Sequence, residues 1–281
     1  MWLNGLATLP KGYEVSTSTY EDLSAFADRL RLRAVRMIEP HGFGYLGQAL
    51  SAAEQFAVLF SEQYQPDRDS LVVSPGHYII AAFAAAPEIE VLAESELSTY
   101  GKDGSTLEAI GTEKSPVADL VCGSLGTGLS GAVGFALADR FAGRTEARVW
   151  AIVSDGELEE GQLWEAAMFA AHNTLGSIIV LLDANDSQVD GPVSSITTIE
   201  PIAQKFEAFG WSAWDIDGHD VAALSNALAE AIEDDRPCVI ISRTSTIHGL
   251  SVLPPDADGH FIKLPSDLAA AAIAELEARL A

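Results

Sequence analysis

RVWAIVSDGELEEGQLWEAAMFAAHNTLGSIIVLL, residues 148–182, is the stretch that decides the fold. Its two ends, residues 148–153 and 177–182, are short apolar runs that predict strands, and residues 159–172 between them predict a helix. A strand, a helix and a second strand in so short a stretch form a βαβ unit, whose strands are parallel and buried on both faces. This stretch therefore predicts an α/β fold.

The same order of elements recurs nearer the C-terminus. Residues 211–216 predict a strand, 221–232 a helix and 238–242 a strand. Two such units predict a doubly wound fold, a mostly parallel sheet with helices on both faces. Other apolar patterns predict a helix that begins after Thr19 and ends at Ile38, and further helices at 51–64, 78–86 and 129–141. They also predict a strand at 71–73 and a loop-rich stretch with one short helix before residue 120. We expect residues 1–281 to form one domain, with 1–20 as an N-terminal extension and 262–281 as a C-terminal helix.

The composition is that of an ordered globular protein, since hydrophobic residues make up 48% of the 281 residues. A formal net charge of −25 opposes contact with phosphodiester backbones and anionic membranes. We therefore expect neither nucleic acid nor a membrane as a partner. Cys122 and Cys238 lack the spacing of a zinc site or a disulfide framework. With no signal-peptide pattern and no apolar run of membrane-spanning length, the sequence predicts a cytoplasmic location.

Polar residues follow the two strands of the first βαβ unit where each strand ends. Asp155 lies in Ser154-Asp155-Gly156-Glu157, and Asn185 follows the next strand. If the strands are neighbours, both side chains lie on one rim of the sheet and could share a cation such as Mg²⁺ or Ca²⁺. Gly156 would let a diphosphate approach the backbone. The alternative is that Asp155 caps a helix and Asn185 forms a turn.

A glycine-rich element, residues 122–128 (CGSLGTG), precedes the predicted helix at 129–141. Such a turn can bind a phosphate or a ring, although close helix packing explains its glycines equally well. His41 and His77 each stand next to a glycine.

Together these segments resemble the transketolase family. Ser154-Asp155-Gly156 through Asn185 resembles its thiamine diphosphate motif, normally Gly-Asp-Gly followed by Asn. Residues 182–191 (LDANDSQVDG) look like the transketolase form of that motif, and residues 123–130 (GSLGTGLS) look like the family's Gly-Ser/Pro-Leu-Gly-Gln-Gly element. Gly76-His77, Pro40-His41-Gly42 and Asp217-Gly218-His219-Asp220 occur in the family's order, so the matches extend over roughly residues 20–262.

The resemblance implies a role for each matching residue. The ligands of Mg²⁺ (or Ca²⁺) would be the Asp155 carboxylate, the Asn185 side chain and the Ser187 backbone carbonyl. Thiamine diphosphate would be bound by His77, Gly123, Ser124, Leu125, Gly156, Glu157, Asn185 and Val189. The catalytic residues would be His41, His260 and Glu160, with His248 as the alternative to His260.

Glu160 and Glu165 match family glutamates at the subunit interface, Glu160 being linked to the partner's activating glutamate. The alternative for both is an exposed helix face, where we also expect the acidic neighbours of Glu160.

The resemblance also implies a partner and a reaction. Transketolases have three domains, and this chain accommodates only the first, so it looks like the N-terminal subunit of a split, two-component transketolase. The partner would be a C-terminal transketolase subunit that carries the pyrimidine-binding domain, in an α2β2 assembly. The reaction would transfer a two-carbon ketol unit from a ketose (phosphate) donor to an aldose acceptor.

Two segments depart from the family pattern. Residues 111–116 (GTEKSP) stand where transketolases carry a Gly-His-Pro segment whose histidine touches sugar hydroxyls, and Glu39-Pro40-His41-Gly42-Phe43 replaces Ser-Gly-His-Pro-Gly. These departures suggest a specialised donor or acceptor. The alternatives are the α subunit of a 2-oxo acid decarboxylating enzyme, a non-catalytic cofactor-binding subunit, and a nicotinamide-binding Rossmann protein. The last lacks Gly-x-Gly-x-x-Gly between its first strand and helix.

Overall fold

A six-stranded sheet, in which every hydrogen-bonded pair of strands is parallel, forms the centre of the computed structural model. The structure describes residues 18–255, 257 and 259–281, so most of the predicted N-terminal extension lies outside the described residues. The strands are β1 (Phe43–Gly44), β2 (Ser70–Val73), β3 (Leu120–Val121), β4 (Val149–Ser154), β5 (Ile178–Ala184), β6 (Ser212–Asp217), β7 (Cys238–Arg243) and β8 (Ile262–Lys263). The order across the sheet is β3-β2-β4-β5-β7-β6, and β1 and β8 form a separate antiparallel pair.

Helices cover both faces of this sheet. They are α1 (Tyr20–Ile38), α2 (Leu46–Ser51), α3 (Ala53–Val58), α4 (Ile79–Ala85), α5 (Gly128–Ala142), α6 (Gly161–His172), α7 (Val193–Ile196), α8 (Ile202–Phe209), α9 (Val221–Ile232) and α10 (Ser266–Leu280). Successive residues of a strand point to opposite faces. Trp150 and Ile152 accordingly join the core with α1, α4, α9 and α10, while Ala151 and Val153 join the core with α5, α6 and α8.

Both predicted βαβ units are confirmed. β4, α6 and β5 form the first, with Ser154 opposite Asp183 in the parallel ladder. β6, α9 and β7 form the second, and β7 also pairs with β5, so the two units share one continuous sheet. The predicted doubly wound α/β fold with a mostly parallel sheet is therefore confirmed.

Two predicted helices differ from the structure. The single helix expected at residues 51–64 is interrupted: α2 ends at Ser51, Ala52 has φ −90° and ψ 5°, and a π-helical turn, Leu59–Gln63, follows α3. Residues 51–64 contain neither glycine nor proline, so their sequence has no signal for the break. The C-terminal helix begins at Ser266, not at residue 262, because β8 and a proline precede it.

None of the helices among the described residues has the length and hydropathy needed to cross a membrane.

Candidate functional site

Asp155 and Asn185 lie on the same rim of the sheet. The strands that precede them, β4 and β5, are adjacent and in register up to Ser154 and Asp183. A carboxylate oxygen of Asp155 accepts a hydrogen bond of 2.7 Å from the backbone N–H of Asp186, the residue after Asn185. The prediction that the carboxyl ends of these two strands bring both residues together is therefore confirmed.

The Asp155 carboxylate is buried and lies near a second buried carboxylate, Asp183. Burial, and then the charge of Asp183, raise the pKa of Asp155 to about 7. Within the described part of the chain, no lysine, arginine or histidine forms an ion pair with Asp155. Two buried carboxylates without a neighbouring positive charge are costly, and a bound divalent cation would remove that cost. The donor set of this rim therefore fits Mg²⁺ or Ca²⁺.

The Asn185 side chain has its nitrogen turned toward the protein interior. This nitrogen donates hydrogen bonds of 2.8 Å each to Asp183 and to the Tyr78 hydroxyl. Its oxygen accepts a bond of 2.9 Å from the Ser187 backbone N–H. The amide oxygen is thus held toward the loop after β5, where an oxygen ligand for a cation is needed.

Asp183 is a residue that the sequence reasoning missed. Its fully buried carboxylate accepts hydrogen bonds from Ser51, Tyr78, Asn185 and Thr244, which lie on four separate segments. Burial raises the pKa of Asp183. The only sequence signal was a charged residue at the end of an otherwise apolar strand, since acids in such positions are buried only with partners.

Glu157 corrects one expectation. The acidic neighbours of Glu160 were expected on an exposed helix face, but Glu157 is fully buried. Its carboxylate accepts hydrogen bonds from the Ser74 hydroxyl at 2.5 Å and from the backbone N–H groups of Gly126 at 2.7 Å and Ser154 at 3.2 Å. The cause is a capping box, in which Glu157 bonds back to Ser154 three residues earlier. That Ser-x-x-Glu spacing was the signal that could have revealed it.

The carboxylate of Glu157 connects the rim to the glycine-rich element. Gly126 has φ +77°, a conformation that favours glycine, and a Cβ there would lie 2.5 Å from the Cβ of Glu160. Burial raises the pKa of Glu157 to about 7. Of the residues predicted to line the cofactor, Gly123 and Ser124 are exposed beside this loop and Leu125 is half-buried.

His77 and His260 lie together, with Tyr45 beside both. The ring centroids of the two histidines are 5.0 Å apart, and that of Tyr45 is 5.1 Å from His77 and 5.8 Å from His260. Burial and the proximity of His260 lower the pKa of His77 to about 3, so this imidazole is neutral near pH 7. A neutral ring can donate one hydrogen bond and accept another.

His248, the alternative to His260, lies in a different cluster. Its ring stacks on His219 with centroids 3.5 Å apart, and His219 is hydrogen-bonded to the buried carboxylate of Glu54 at 3.1 Å. The carboxylate of Glu54 is also paired with Arg31 at 2.6 Å. The structure therefore groups His260, and not His248, with His77.

The other predicted residues are placed as follows. His41 is half-buried, and its Nε2 lies 2.9 Å from the Tyr100 carbonyl oxygen. The Gly156 N–H donates to the Asp155 carboxylate at 2.9 Å. Val189, expected to bind the cofactor, is 79% exposed. Glu160 and Glu165 are exposed, which fits both a subunit interface and a solvated helix face.

Comparisons with known proteins show the family to which this chain is similar. The family model described as transketolase, thiamine diphosphate binding domain, matches residues 23–280. A transketolase family protein of Sinorhizobium fredii is 40% identical over 263 residues, which cover 90% of this chain and 94% of the relative. The 6-deoxy-6-sulfo-D-fructose transketolase subunit SqwG of Clostridium sp. is 34% identical, with coverage of 91% and 96%.

Longer relatives match over part of their length. Human transketolase is 32% identical over 262 residues, and the match covers 90% of this chain but 42% of the human protein. The crystal structure of Campylobacter jejuni transketolase superimposes with a TM-score of 0.82 at 25% identity, covering 93% of this chain and 43% of that enzyme. The chain thus spans less than half of these two enzymes and nearly the whole of the two bacterial relatives.

Proposed function

Because the chain belongs to the transketolase family, as its thiamine diphosphate-binding domain, we propose that it is the N-terminal subunit of a two-component transketolase-like enzyme. This enzyme would transfer a two-carbon ketol unit from a ketose to an aldehyde acceptor, with thiamine diphosphate and Mg²⁺ (or Ca²⁺). The observation that carries the proposal is the rim, where a buried carboxylate without a cationic partner meets a fixed amide oxygen. We also propose that residues 1–281 act as a single domain.

The residues of the rim suit the diphosphate end of the cofactor. Asp155, Asn185 and the Ser187 carbonyl would hold the metal ion, which in proteins of this type binds through few carboxylates and through phosphate oxygens. His77, neutral near pH 7, would donate a hydrogen bond to a diphosphate oxygen. The exposed Gly123 and Ser124 would offer backbone groups to the aminopyrimidine, with Leu125 beside them. When bound, thiamine diphosphate serves as the electron sink of the reaction.

His260 and His41 are the groups proposed to move protons at the substrate. His260 is buried against Tyr45 and next to His77, which holds its ring in place at the edge of the site. An imidazole held in this position could give a proton to the substrate or take one from it. Glu160 is exposed at the start of α6 and Glu165 is exposed within it, so a partner carrying the pyrimidine-binding domain could reach them.

The length of the relatives supports a partner subunit. The human and C. jejuni enzymes are more than twice as long as the region that matches this chain, and SqwG is described as a subunit. We propose a C-terminal transketolase subunit as partner, in an α2β2 assembly. The free thiols Cys122 and Cys238 support a reducing compartment, and a cytoplasmic location stays a prediction.

The test is reconstitution. Ketol transfer is measured with the purified chain, with a C-terminal transketolase polypeptide from the same genome, and with both together, each in excess thiamine diphosphate and Mg²⁺. We expect turnover only in the mixture. Turnover of pyruvate by the mixture in place of ketol transfer would favour the α subunit of a 2-oxo acid decarboxylating enzyme. Cofactor binding without any turnover would favour a non-catalytic subunit.

A further inference from the structure

Three aromatic side chains, Phe43, Tyr45 and Phe261, form a cluster that we name the aromatic wall. The ring centroids of Phe43 and Phe261 are 5.5 Å apart, and those of Tyr45 and Phe261 are 5.1 Å apart. Phe43 is 54% exposed and Phe261 is 38% exposed. Two large apolar rings therefore face outward side by side, which is a costly arrangement unless a ligand or partner covers them.

The wall is held rigidly by backbone contacts. β1 and β8 pair with Phe43 opposite Lys263 and Gly44 opposite Ile262. Just beyond this ladder the chains cross closely, since a Cβ on Gly47 would lie 1.8 Å from the carbonyl oxygen of Gly259. The rings are therefore fixed relative to one another rather than carried on a free loop.

The wall is continuous with the proposed active site. The Tyr45 ring contacts Phe261 on one side and both His77 and His260 on the other. A molecule whose reacting carbon lies beside His260 would place its next atoms against Tyr45 and the two phenylalanines. Because the wall is continuous with these histidines, we expect the group that covers it to be the substrate and not the partner subunit.

The chemistry of the surroundings indicates what kind of substrate fits. Residues 111–116 begin beside His77, because the Gly111 N–H donates to the Gly76 carbonyl at 3.1 Å, and they contain no histidine to bind hydroxyl groups. Polar groups pressed against phenyl rings lose their hydrogen bonds to water without replacement, whereas apolar groups gain from burial. Lys263 lies opposite Phe43 in the β1–β8 ladder and is exposed, so its charged group can remain in water.

We propose that the aromatic wall selects the aldehyde substrate, and that it prefers an aldehyde whose carbonyl carries an apolar alkyl or aryl group over a phosphorylated polyol. This inference rests on the proposed function and names its substrate class.

The test compares two acceptors, benzaldehyde and glyceraldehyde 3-phosphate, with one common ketol donor in the reconstituted pair. We expect the wild-type pair to have the higher kcat/KM for benzaldehyde. In a Phe43→Ala/Phe261→Ala variant, we expect the ratio of the two kcat/KM values to fall at least about tenfold, mostly through the KM for benzaldehyde. Phe141→Ala is the matched control, because Phe141 is 84% exposed at the end of α5, and it should leave the ratio unchanged.

Two further measurements separate the possible outcomes. An unchanged ratio, or an equal loss for both aldehydes together with weaker association of the partner, would overturn the inference and make the wall a subunit contact. Absence of transfer to both aldehydes in the wild-type pair, with thiamine diphosphate bound, would overturn the proposed function and this inference with it. The single variants Phe43→Ala and Phe261→Ala provide the same ratio if the double variant does not fold.

Discussion

The side-chain nitrogen of Asn185 donates a 2.8 Å hydrogen bond to the carboxylate of Asp183, two residues earlier and completely buried. The Tyr78 hydroxyl closes a triangle with them, since it donates to the same Asp183 oxygen at 2.7 Å and accepts from Asn185 at 2.8 Å. With the nitrogen held by these two groups, only the amide oxygen of Asn185 remains for a cation. Asp183 and Tyr78 are thus positioning residues for a proposed metal ligand.

Tyr78→Phe and Asp183→Asn should therefore weaken metal binding without touching a ligand. We expect the apparent affinity for Mg²⁺, titrated calorimetrically in the presence of thiamine diphosphate, to fall by about tenfold to a hundredfold, as for other groups that orient metal ligands. Tyr64→Phe, at a buried tyrosine just after the π-helical turn that follows α3, is the control. Wild-type affinity in both test variants would show that Asn185 needs no such support.

Asp155→Ala should abolish Mg²⁺-dependent binding of thiamine diphosphate while the fold is retained. The carboxylate is the charged ligand proposed at the rim, and its removal also relieves repulsion from Asp183. Calorimetry measures the affinity and circular dichroism the fold. Glu207→Gln, which neutralises an exposed acid on α8, is the control for the change in net charge. Unchanged cofactor affinity in Asp155→Ala would contradict the proposed metal site.

The buried ion pair between Arg31 and Glu54 should be important for stability. Both side chains are buried, with N–O distances of 2.6 and 2.7 Å. Arg31→Leu leaves the Glu54 carboxylate with only the imidazoles of His219 and His248, and we expect the free energy of unfolding to fall by about 3–5 kcal/mol at pH 7. The control, Arg36→Leu, breaks an exposed pair with Glu277 and should cost less than about 1 kcal/mol. Chemical denaturation measures the free energy of unfolding of both variants. Equal losses would contradict the larger contribution expected of the buried pair.

The same pair predicts how stability changes in acid. Burial acts to raise the pKa of Glu54, but the charge of Arg31 and the hydrogen bond from His219 outweigh it and hold the pKa below its ordinary value of 4.5. The stabilisation is therefore present above pH 4.5 and is lost as the pH falls through the lower, folded-state pKa. We expect Glu54→Gln to flatten this acid-side decline in the free energy of unfolding. If the free energy of unfolding depends on pH in the same way in the wild type and in Glu54→Gln, Glu54 is not the cause of the acid-side decline.

Standard pentose phosphates should be poor donors. Residues 111–116 lack the histidine that the resemblance leads one to expect near the sugar hydroxyls, and losing one such hydrogen bond typically costs about tenfold in kcat/KM. We expect kcat/KM for xylulose 5-phosphate in the reconstituted pair to be at least about tenfold below that of human transketolase measured in parallel. Comparable values would remove the argument for a specialised substrate.

Local pattern was sufficient for five of the six strands of the sheet, β3 being the exception. Long apolar runs such as residues 178–182 are buried on both faces, so their sequence alone predicts parallel central strands. Asp155 and Asn185 could be placed together only on the condition that their strands are neighbours, since the carboxyl ends of adjacent parallel strands lie at one edge of the sheet. The break at Ala52 had no such signal, since residues 51–64 contain neither glycine nor proline.

The network behind Asn185 was beyond prediction for a different reason. Ser51, Tyr78 and Thr244 reach Asp183 from segments far apart in the chain, so their meeting depends on how the helices pack. The role of Glu157 was more accessible, because its bond to Ser154 lies within four residues. Spacing reveals local hydrogen bonds, whereas contacts between distant segments need the structure.

The short β1–β8 ladder has a consequence for how the protein is made. It joins residues 43–44 to residues 262–263, whereas the rim and the groups that hold Asp183 are complete once Thr244 has been added. A nascent chain can therefore form the proposed metal-binding edge before Phe261 is available to pack against Phe43. A polypeptide cut before residue 261 would carry Asp155 and Asn185 but lack one of the three rings of the aromatic wall.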